Sequence, residues 1–275
     1  AYVLPILSIL RPRSDDKNRN VDALILVPTR ELAGQVEEVF KTYNFSLKTP
    51  LNINAVFGGV SINPQMKGLF GVNILIATPG RLLELIRANA LSLSKVKHLV
   101  IDEADKMLNI GFKEEMNEII KLLPKKRQNL LFSATLSEKV KEINQLVLTN
   151  PIVVKIKPRE ENLDLIKQEA YYVLEENKGP LLRYIIKNQN IQQVLIFTSS
   201  KFKADNVAAK LRKHDIQATA IHSKKSQGAR TSALRKFKEG SLRVLVATDL
   251  LARGIDIEFL PFVINYELPR SPKDF

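Results

Sequence analysis

Three acids close the apolar run VIDEADKML: Asp102, Glu103 and Asp105 follow directly on Leu99, Val100 and Ile101. Carboxylates are costly to bury, so this strand end is either solvated or built to hold a cation. An acid in the place of Asp102 has the form of a Walker-B residue, which holds Mg²⁺ on nucleotide phosphates. Glu103 is adjacent, where a carboxylate can orient or deprotonate an attacking water. Asp105 can bond a neighbouring loop and fix that geometry. Acids also favour the starts of helices, where the dipole attracts them, and a helical run begins near Ala104. The acids alone therefore leave both readings open.

Further segments of the same style recur. Pro28-Thr29-Arg30-Glu31-Leu32-Ala33 and Thr78-Pro79-Gly80-Arg81 each end an apolar run and open a helical one, and Phe132-Ser133-Ala134-Thr135 ends another. Pro79 suits a first helical turn, and Thr78 can cap it. Such helix starts offer free N–H groups to phosphates, with Arg30 and Arg81 adding positive charge. Taken singly, either of the two helix starts reads more simply as a well-capped helix.

The elements that must position these residues follow from the apolar pattern. ALILVP (23–28), INAVFGG (53–59), NILIATP (73–79), HLVIDEAD (98–105) and NLLFSAT (129–135) have the length and branched content of buried strands. Between them lie segments with helical spacing, such as ELAGQVEEVFKTY and FKEEMNEIIKLL. Continuous hydrophobicity predicts parallel strands covered on both faces, hence an α/β fold. The pattern pauses in a charged stretch, and a linker is expected around 156–166. It restarts with EAYYVL, QQVLIFTSS, IQATAIHS, LRVLVATD and PFVINYELP. Two tandem α/β domains are expected, residues 1–156 and 157–275. Open α/β sheets bind ligands beyond the carboxyl ends of their strands, and there the chain places PTRE, GG, TPGR, SAT, TSS, HS and ATD.

Composition narrows the classes. The chain has 275 residues, 45% of them hydrophobic, which is a globular rather than a disordered composition. A formal net charge of +13 favours a polyanionic partner, although solvated lysine faces also produce a basic protein. Cysteine is absent, which excludes disulfides and thiolate metal sites. The histidines, at 98, 214 and 222, are too dispersed for a metal cluster and read as surface or strand-edge residues. No apolar run approaches a membrane span, and AYVLPILSIL lacks the basic start of a signal peptide. No membrane partner is expected, and cytoplasmic localisation follows as a default. Both ends are expected to be cut, since the chain starts without Met and SPKDF follows directly on an apparent strand and loop.

Read in order, PTRELA (28–33), GG (58–59), TPGR (78–81), DEAD (102–105), SAT (133–135), VLIFTSS (194–200), QGAR (227–230) and ATDLLARGIDI (247–257) resemble the DEAD-box ATP-dependent RNA helicases. The likeness covers nearly the whole chain. DEADKMLNIGF, HSKKSQGAR and VINYELP are most similar to the bacterial RhlE-like group, although Ser223 stands where glycine is common and Leu250-Leu251 replace smaller residues.

The resemblance implies two RecA-like domains that close around ATP and one strand of RNA. It implies that Asp102 and Glu103 serve Mg²⁺ and water, with Asp102 as the metal acid. Ser133 and Thr135, joined by Asp105, would couple nucleotide state to domain closure. Arg30, Gly59, Thr78 and Arg81 would contact the RNA backbone from the first domain, and Thr198, Gln227, Arg230 and Thr248 from the second. Gly254 and Asp256 would approach the nucleotide, while Asp249 and Arg253 would maintain the interdomain network. RNA held by sugars and phosphates is read as shape with little base preference, which agrees with the absence of tryptophan.

The family's phosphate loop, GxxxxGK[ST], and its adenine-reading Q motif would lie just before AYVLPIL, and HRxGRxGR, with the arginine finger, just after SPKDF. Both domains are therefore expected to be incomplete. The expected function is ATP hydrolysis coupled to RNA duplex separation or ribonucleoprotein remodelling. A non-catalytic RNA-binding scaffold derived from a helicase is the alternative; a DNA helicase or translocase would show different motif spellings.

Overall fold

Ala23, Leu24, Ile25 and Leu26 are all fully buried, which a strand achieves only when both faces of its sheet are covered. In the computed structural model this strand is β1 (Ala23–Leu26), the middle of a five-stranded sheet. The structure describes residues 1–12, 19–135, 140, 143, 147–148, 150–156, 167–248 and 260–267. The chain divides into two compact units, Ala1–Pro151 and Ile152–Phe275, a division slightly earlier than the expected one between 156 and 157.

The first unit contains α1 (Val3–Ile9), β1, α2 (Arg30–Asn44), β2 (Ile53–Val56), α3 (Ile62–Lys67) and β3 (Ile74–Ala77), then α4 (Pro79–Arg87), β4 (His98–Ile101), α5 (Ala104–Ile110), α6 (Lys113–Leu122) and β5 (Gln128–Leu131). The sheet order is β2-β3-β1-β4-β5, and every pairing is parallel. Alternate residues of each strand supply two cores. Leu24, Leu26, Leu75, Leu99 and Ile101 pack with Leu82, Leu85, Met107, Met116 and Ile119 on one face. Ala23, Ile25, Ile74, Ile76 and Val100 pack with Tyr2, Ile6, Val36 and Phe40 on the other. The chain fills one side of β1 with β2 and β3, then crosses to the other with β4 and β5. The carboxyl ends of β1 and β4 thus form a topological switch point, the place where such sheets bind ligands.

The second unit contains a 3₁₀ turn (Glu175–Asn177), α7 (Lys178–Asn188), β6 (Val194–Thr198), α8 (Lys201–Arg212), β7 (Ala218–Ile221), α9 (Gln227–Lys238), β8 (Val244–Thr248) and β9 (Val263–Asn265). Its sheet order is β7-β8-β6-β9, again parallel throughout. Ile196, Val244 and Val246 pack against α7 and α8 through Leu182, Ile186 and Val207. Leu195, Leu245 and Ala247 pack against α9 through Ala233 and Phe237.

The α/β class and the parallel sheets hold in both units, and three local expectations do not. EAYYVL, expected as a strand, has no regular structure; no described strand pairs with it, and Tyr172 and Leu174 remain exposed. Thr78 stands at the N-cap of α4 but makes no side-chain cap bond, whereas Thr29 caps α2 by accepting from the Leu32 N–H at 3.2 Å. His222, expected at a surface or strand edge, is buried. Its Nε2 lies 2.9 Å from Asp205 Oδ2 on α8, and this polar partner makes the burial tolerable.

Candidate active site and nucleic-acid interface

Asp102 begins where β4 ends, and three contacts hold it. Its N–H donates to the Leu26 carbonyl of β1 at 2.9 Å. Its Oδ1 accepts from the Glu103 N–H at 2.9 Å, and its Oδ2 accepts from the Tyr2 hydroxyl at 2.8 Å. Tyr2 reaches it from the residue just before α1, with its ring 5.2 Å from that of Phe132 and 6.2 Å from that of Phe40. Burial, reinforced by the charge of Asp102, pushes the Tyr2 hydroxyl far above its ordinary range and keeps it a donor.

Glu103 occupies left-handed backbone, with φ 50° and ψ 48°. The other described non-glycine residues with positive φ are asparagines and an aspartate, whose short side chains tolerate that region. Glutamate has no such help, and strain of this kind collects at functional positions. The side chain is half-buried. Oε1 accepts from Lys106 Nζ at 2.5 Å, while Oε2 is buried and accepts no hydrogen bond among the described residues. Desolvation raises the carboxyl pKa against the opposing pull of Lys106, the direction expected of a general base tuned toward neutral pH.

Asp105, in the first turn of α5, accepts from Thr135 Oγ1 at 3.1 Å. Thr135 lies beyond β5, and Ser133 Oγ donates to its carbonyl at 2.7 Å. The two strand ends are also joined by backbone. Phe132 N–H donates to Ile101 O at 2.8 Å, and Ala104 N–H to Phe132 O at 3.0 Å. Asp102, Glu103, Asp105, Ser133 and Thr135 are therefore one connected group at the ends of adjacent strands.

The donor set fits Mg²⁺. Carboxylate oxygen is a hard ligand, and Mg²⁺ is usually held by one or two carboxylates with phosphates and water rather than by a closed protein cage. The described residues contain no group of three or more His, Cys, Asp or Glu placed to form such a cage. Asp102 keeps spare lone pairs on both oxygens, and Oε2 of Glu103 is a buried acceptor beside it.

The first unit's basic candidates surround the loop after β2. Gly59 has φ 81°, and a Cβ there would lie 2.6 Å from Arg30 Nη1, so glycine lets the guanidinium approach the loop. Arg30 also lies 3.6 Å from Glu31. Arg81 is buried; Nη2 donates to the Val60 carbonyl and Nε to Glu84, each at 2.8 Å. Its Nη1 is buried without a hydrogen-bond partner among the described residues. Thr78 is buried at the start of α4.

In the second unit Thr198 and Thr248 are paired residues at the ends of β6 and β8, both buried. Gln227 opens α9, where Ser226 caps the helix by accepting from the Ala229 N–H. Arg230 is fully buried. Asp249, Arg253, Gly254 and Asp256 lie outside the described residues.

Several contacts escaped the sequence reading. Tyr2 was visible only as part of an apolar segment. Glu267, within VINYELP, accepts from Ser199 N–H at 2.9 Å and from Ser199 Oγ at 2.6 Å. It also pairs with Lys203, which bridges to Glu175 at 2.9 Å. Only the segment VINYELP signalled this; the partners are distant in sequence.

Comparisons with known proteins address the family and the fold. The DEAD/DEAH box helicase family matches residues 1–143, and the helicase conserved C-terminal domain matches residues 177–275. The ATP-dependent RNA helicase CshA of Listeria monocytogenes is 38% identical over 100% of this chain and 52% of its own length. The ATP-dependent RNA helicase eIF4A of Candida albicans is 36% identical over 96% of this chain and 66% of its own. Among solved structures, S. cerevisiae Dbp5 bound to RNA and ADP BeF3 matches with a TM-score of 0.82 at 29% identity, covering 99% of this chain and 68% of that one. The chain spans about half the length of the CshA relatives it matches. With one family profile over more than half of its residues, the chain belongs to the DEAD/DEAH box helicases.

Proposed function

We propose that the protein carrying this chain is an ATP-dependent RNA helicase, which couples ATP hydrolysis to local RNA duplex separation or ribonucleoprotein remodelling. The observation that carries the reading is the connected group at the ends of β4 and β5, with Glu103 held in strained backbone beside Asp102. Bound Mg-ATP would supply the phosphoanhydride to be cleaved, with the cation neutralising phosphate charge. Asp102 would hold the cation. Glu103, its pKa raised by burial, would orient and deprotonate water. Ser133, Thr135 and Asp105 would relay nucleotide state. Arg30, Gly59, Thr78 and Arg81, with Thr198, Gln227, Arg230 and Thr248, would hold the RNA backbone. We assign Gly254 and Asp256 to the nucleotide, and Asp249 and Arg253 to the interdomain network, on family resemblance. A scaffold would gain nothing from a strained glutamate beside the metal acid. The narrower RhlE-like placement rests on the wording of DEADKMLNIGF, HSKKSQGAR and VINYELP, and a cytoplasmic location is our assignment.

Hydrolysis also requires backbone N–H groups and a lysine around the terminal phosphates, and a cation for the transition state. Residues 1–275 contain no GxxxxGK[ST], so on their own they should show no RNA-stimulated turnover. The test is phosphate release and duplex unwinding by the protein carrying this chain, with residues 1–275 alone in parallel. RNA-independent ATPase without unwinding would sink the helicase reading, and full turnover by residues 1–275 would refute the assigned division of labour.

A further inference from the structure

We propose that Tyr2 is a positioning residue for Asp102, its hydroxyl fixing the orientation in which that carboxylate receives Mg²⁺. The inference rests on the reading of Asp102 as the metal acid. Asp102 is held through its N–H by Leu26, through Oδ1 by Glu103 and through Oδ2 by Tyr2. The first two contacts come from backbone and would persist with almost any side chain nearby. The third is the one side-chain bond to Asp102 among the described residues, and it reaches across from the segment preceding α1.

A buried tyrosine hydroxyl needs an acceptor in any case, so the bond has to be weighed against simple packing. The ring is accounted for by Phe40 and Phe132, and phenylalanine would fill the same space. The hydroxyl adds one thing, a donor that stops the carboxylate turning about its last bond. With one lone pair on each oxygen engaged, the remaining ones keep a fixed direction. Partners that orient a metal-ligating group in this way contribute roughly 10–100-fold to metal affinity.

Tyr2→Phe removes the donor and keeps the ring. In the protein carrying this chain, binding of a fluorescent ADP analogue is followed as Mg²⁺ is titrated, and again with the metal chelated. The melting temperature is measured alongside. Tyr2→Phe should raise the Mg²⁺ concentration for half-saturation by about tenfold or more, while metal-free nucleotide binding stays as in the wild type and melting falls only as far as one lost hydrogen bond to a charged group requires. Asp102→Asn should abolish the response to Mg²⁺. A Tyr2→Phe protein with wild-type Mg²⁺ dependence, beside an unresponsive Asp102→Asn, overturns the role of Tyr2 and leaves Asp102 in place. Tighter Mg²⁺ binding would also overturn it, showing that the hydroxyl competes with the metal. Equal losses with and without metal would mean general damage and likewise overturn it. If Asp102→Asn itself responds normally, the reading of Asp102 falls, and the role of Tyr2 with it.

Discussion

The Thr135 hydroxyl donates to Asp105 at 3.1 Å, joining the loop beyond β5 to the first turn of α5. Asp105 is three residues from Asp102 and shares a helix start with Glu103. A displacement at Asp102 therefore has a short bonded route to the neighbouring strand end. Ser133 tightens the far side of that route through the Thr135 carbonyl.

If this contact relays nucleotide state, removing it should separate binding from work. Ser133→Ala with Thr135→Ala should leave nucleotide affinity within a few-fold of wild type and reduce unwinding of a short duplex much more. Labelled nucleotide and a fluorescent duplex measure the two quantities. Equal losses would assign the pair to binding instead.

Glu103 offers a sharper chemical test. Glu103→Gln keeps the shape and an acceptor for Lys106, but it cannot take a proton. Turnover should fall by roughly a hundredfold or more, the usual scale for a general base, while nucleotide affinity is retained. Single-turnover phosphate release checks this, and a parental rate would remove Glu103 from the role.

Gly59 links backbone geometry to charge placement. An alanine there must adopt φ 81° and displace the Arg30 guanidinium. The left-handed backbone alone costs about 1–2 kcal/mol. Gly59→Ala should lower stability by about that amount and weaken RNA binding, both from the one substitution. Gly58, which has open space, serves as the control, and equal RNA affinity in the two variants would detach Gly59 from RNA.

Much of the fold was legible because buried parallel strands announce themselves. β1, β3, β4 and β8 are continuous apolar runs that need no long-range information to recognise. EAYYVL shares that composition and still forms no strand, since a strand also needs a neighbour that no local pattern reveals. The candidate site was legible as residue types at strand ends. Its bonding was not. Tyr2 and Asp102 are a hundred residues apart, and nothing near Tyr2 marks its hydroxyl. The left-handed backbone of Glu103 was equally hidden, because only the crossing from β4 into α5 demands it. His222, just beyond β7, is buried against Asp205, which comes from α8.

The Glu267 network predicts how the second unit responds to acid. Burial of Glu267 opposes ionisation, but bonds from Lys203 and Ser199 outweigh it and hold the carboxyl below its ordinary range. The folded state therefore binds fewer protons than the unfolded one, so the stabilisation is present above the unfolded value of 4.5 and is lost as pH falls through the lowered one. Glu267→Gln should cost about 1.5–3 kcal/mol at neutral pH, the range for hydrogen bonds to a charged group. The difference from wild type should shrink below that window. Urea denaturation at several pH values measures it, and a pH-independent difference would mean that the charge is irrelevant.

The final prediction concerns how nucleic acid is held. The chain carries a net charge of +13, yet its two first-unit candidate arginines are constrained. Arg30 lies against Gly59, and Arg81 is buried with two of its nitrogens committed to Val60 and Glu84. Arginines fixed in this way suit the regular spacing of a phosphate backbone better than the varied edges of bases. RNA affinity should therefore fall steeply with salt and depend little on sequence. For a single strand, each phosphate contact contributes roughly 0.7 to the slope of log affinity against log salt. Arg30→Ala should reduce that slope by about one contact and weaken unrelated RNAs to the same degree. Arg81→Ala should do so as well, and it should also release the Val60 loop, lowering stability. Arg230 is a poorer probe because it is fully buried, and its loss would disturb α9 before any RNA is added. Affinities for several unrelated single strands across a salt series decide the matter. A preference for one sequence that disappears with Arg30→Ala would mean that this arginine reads a base.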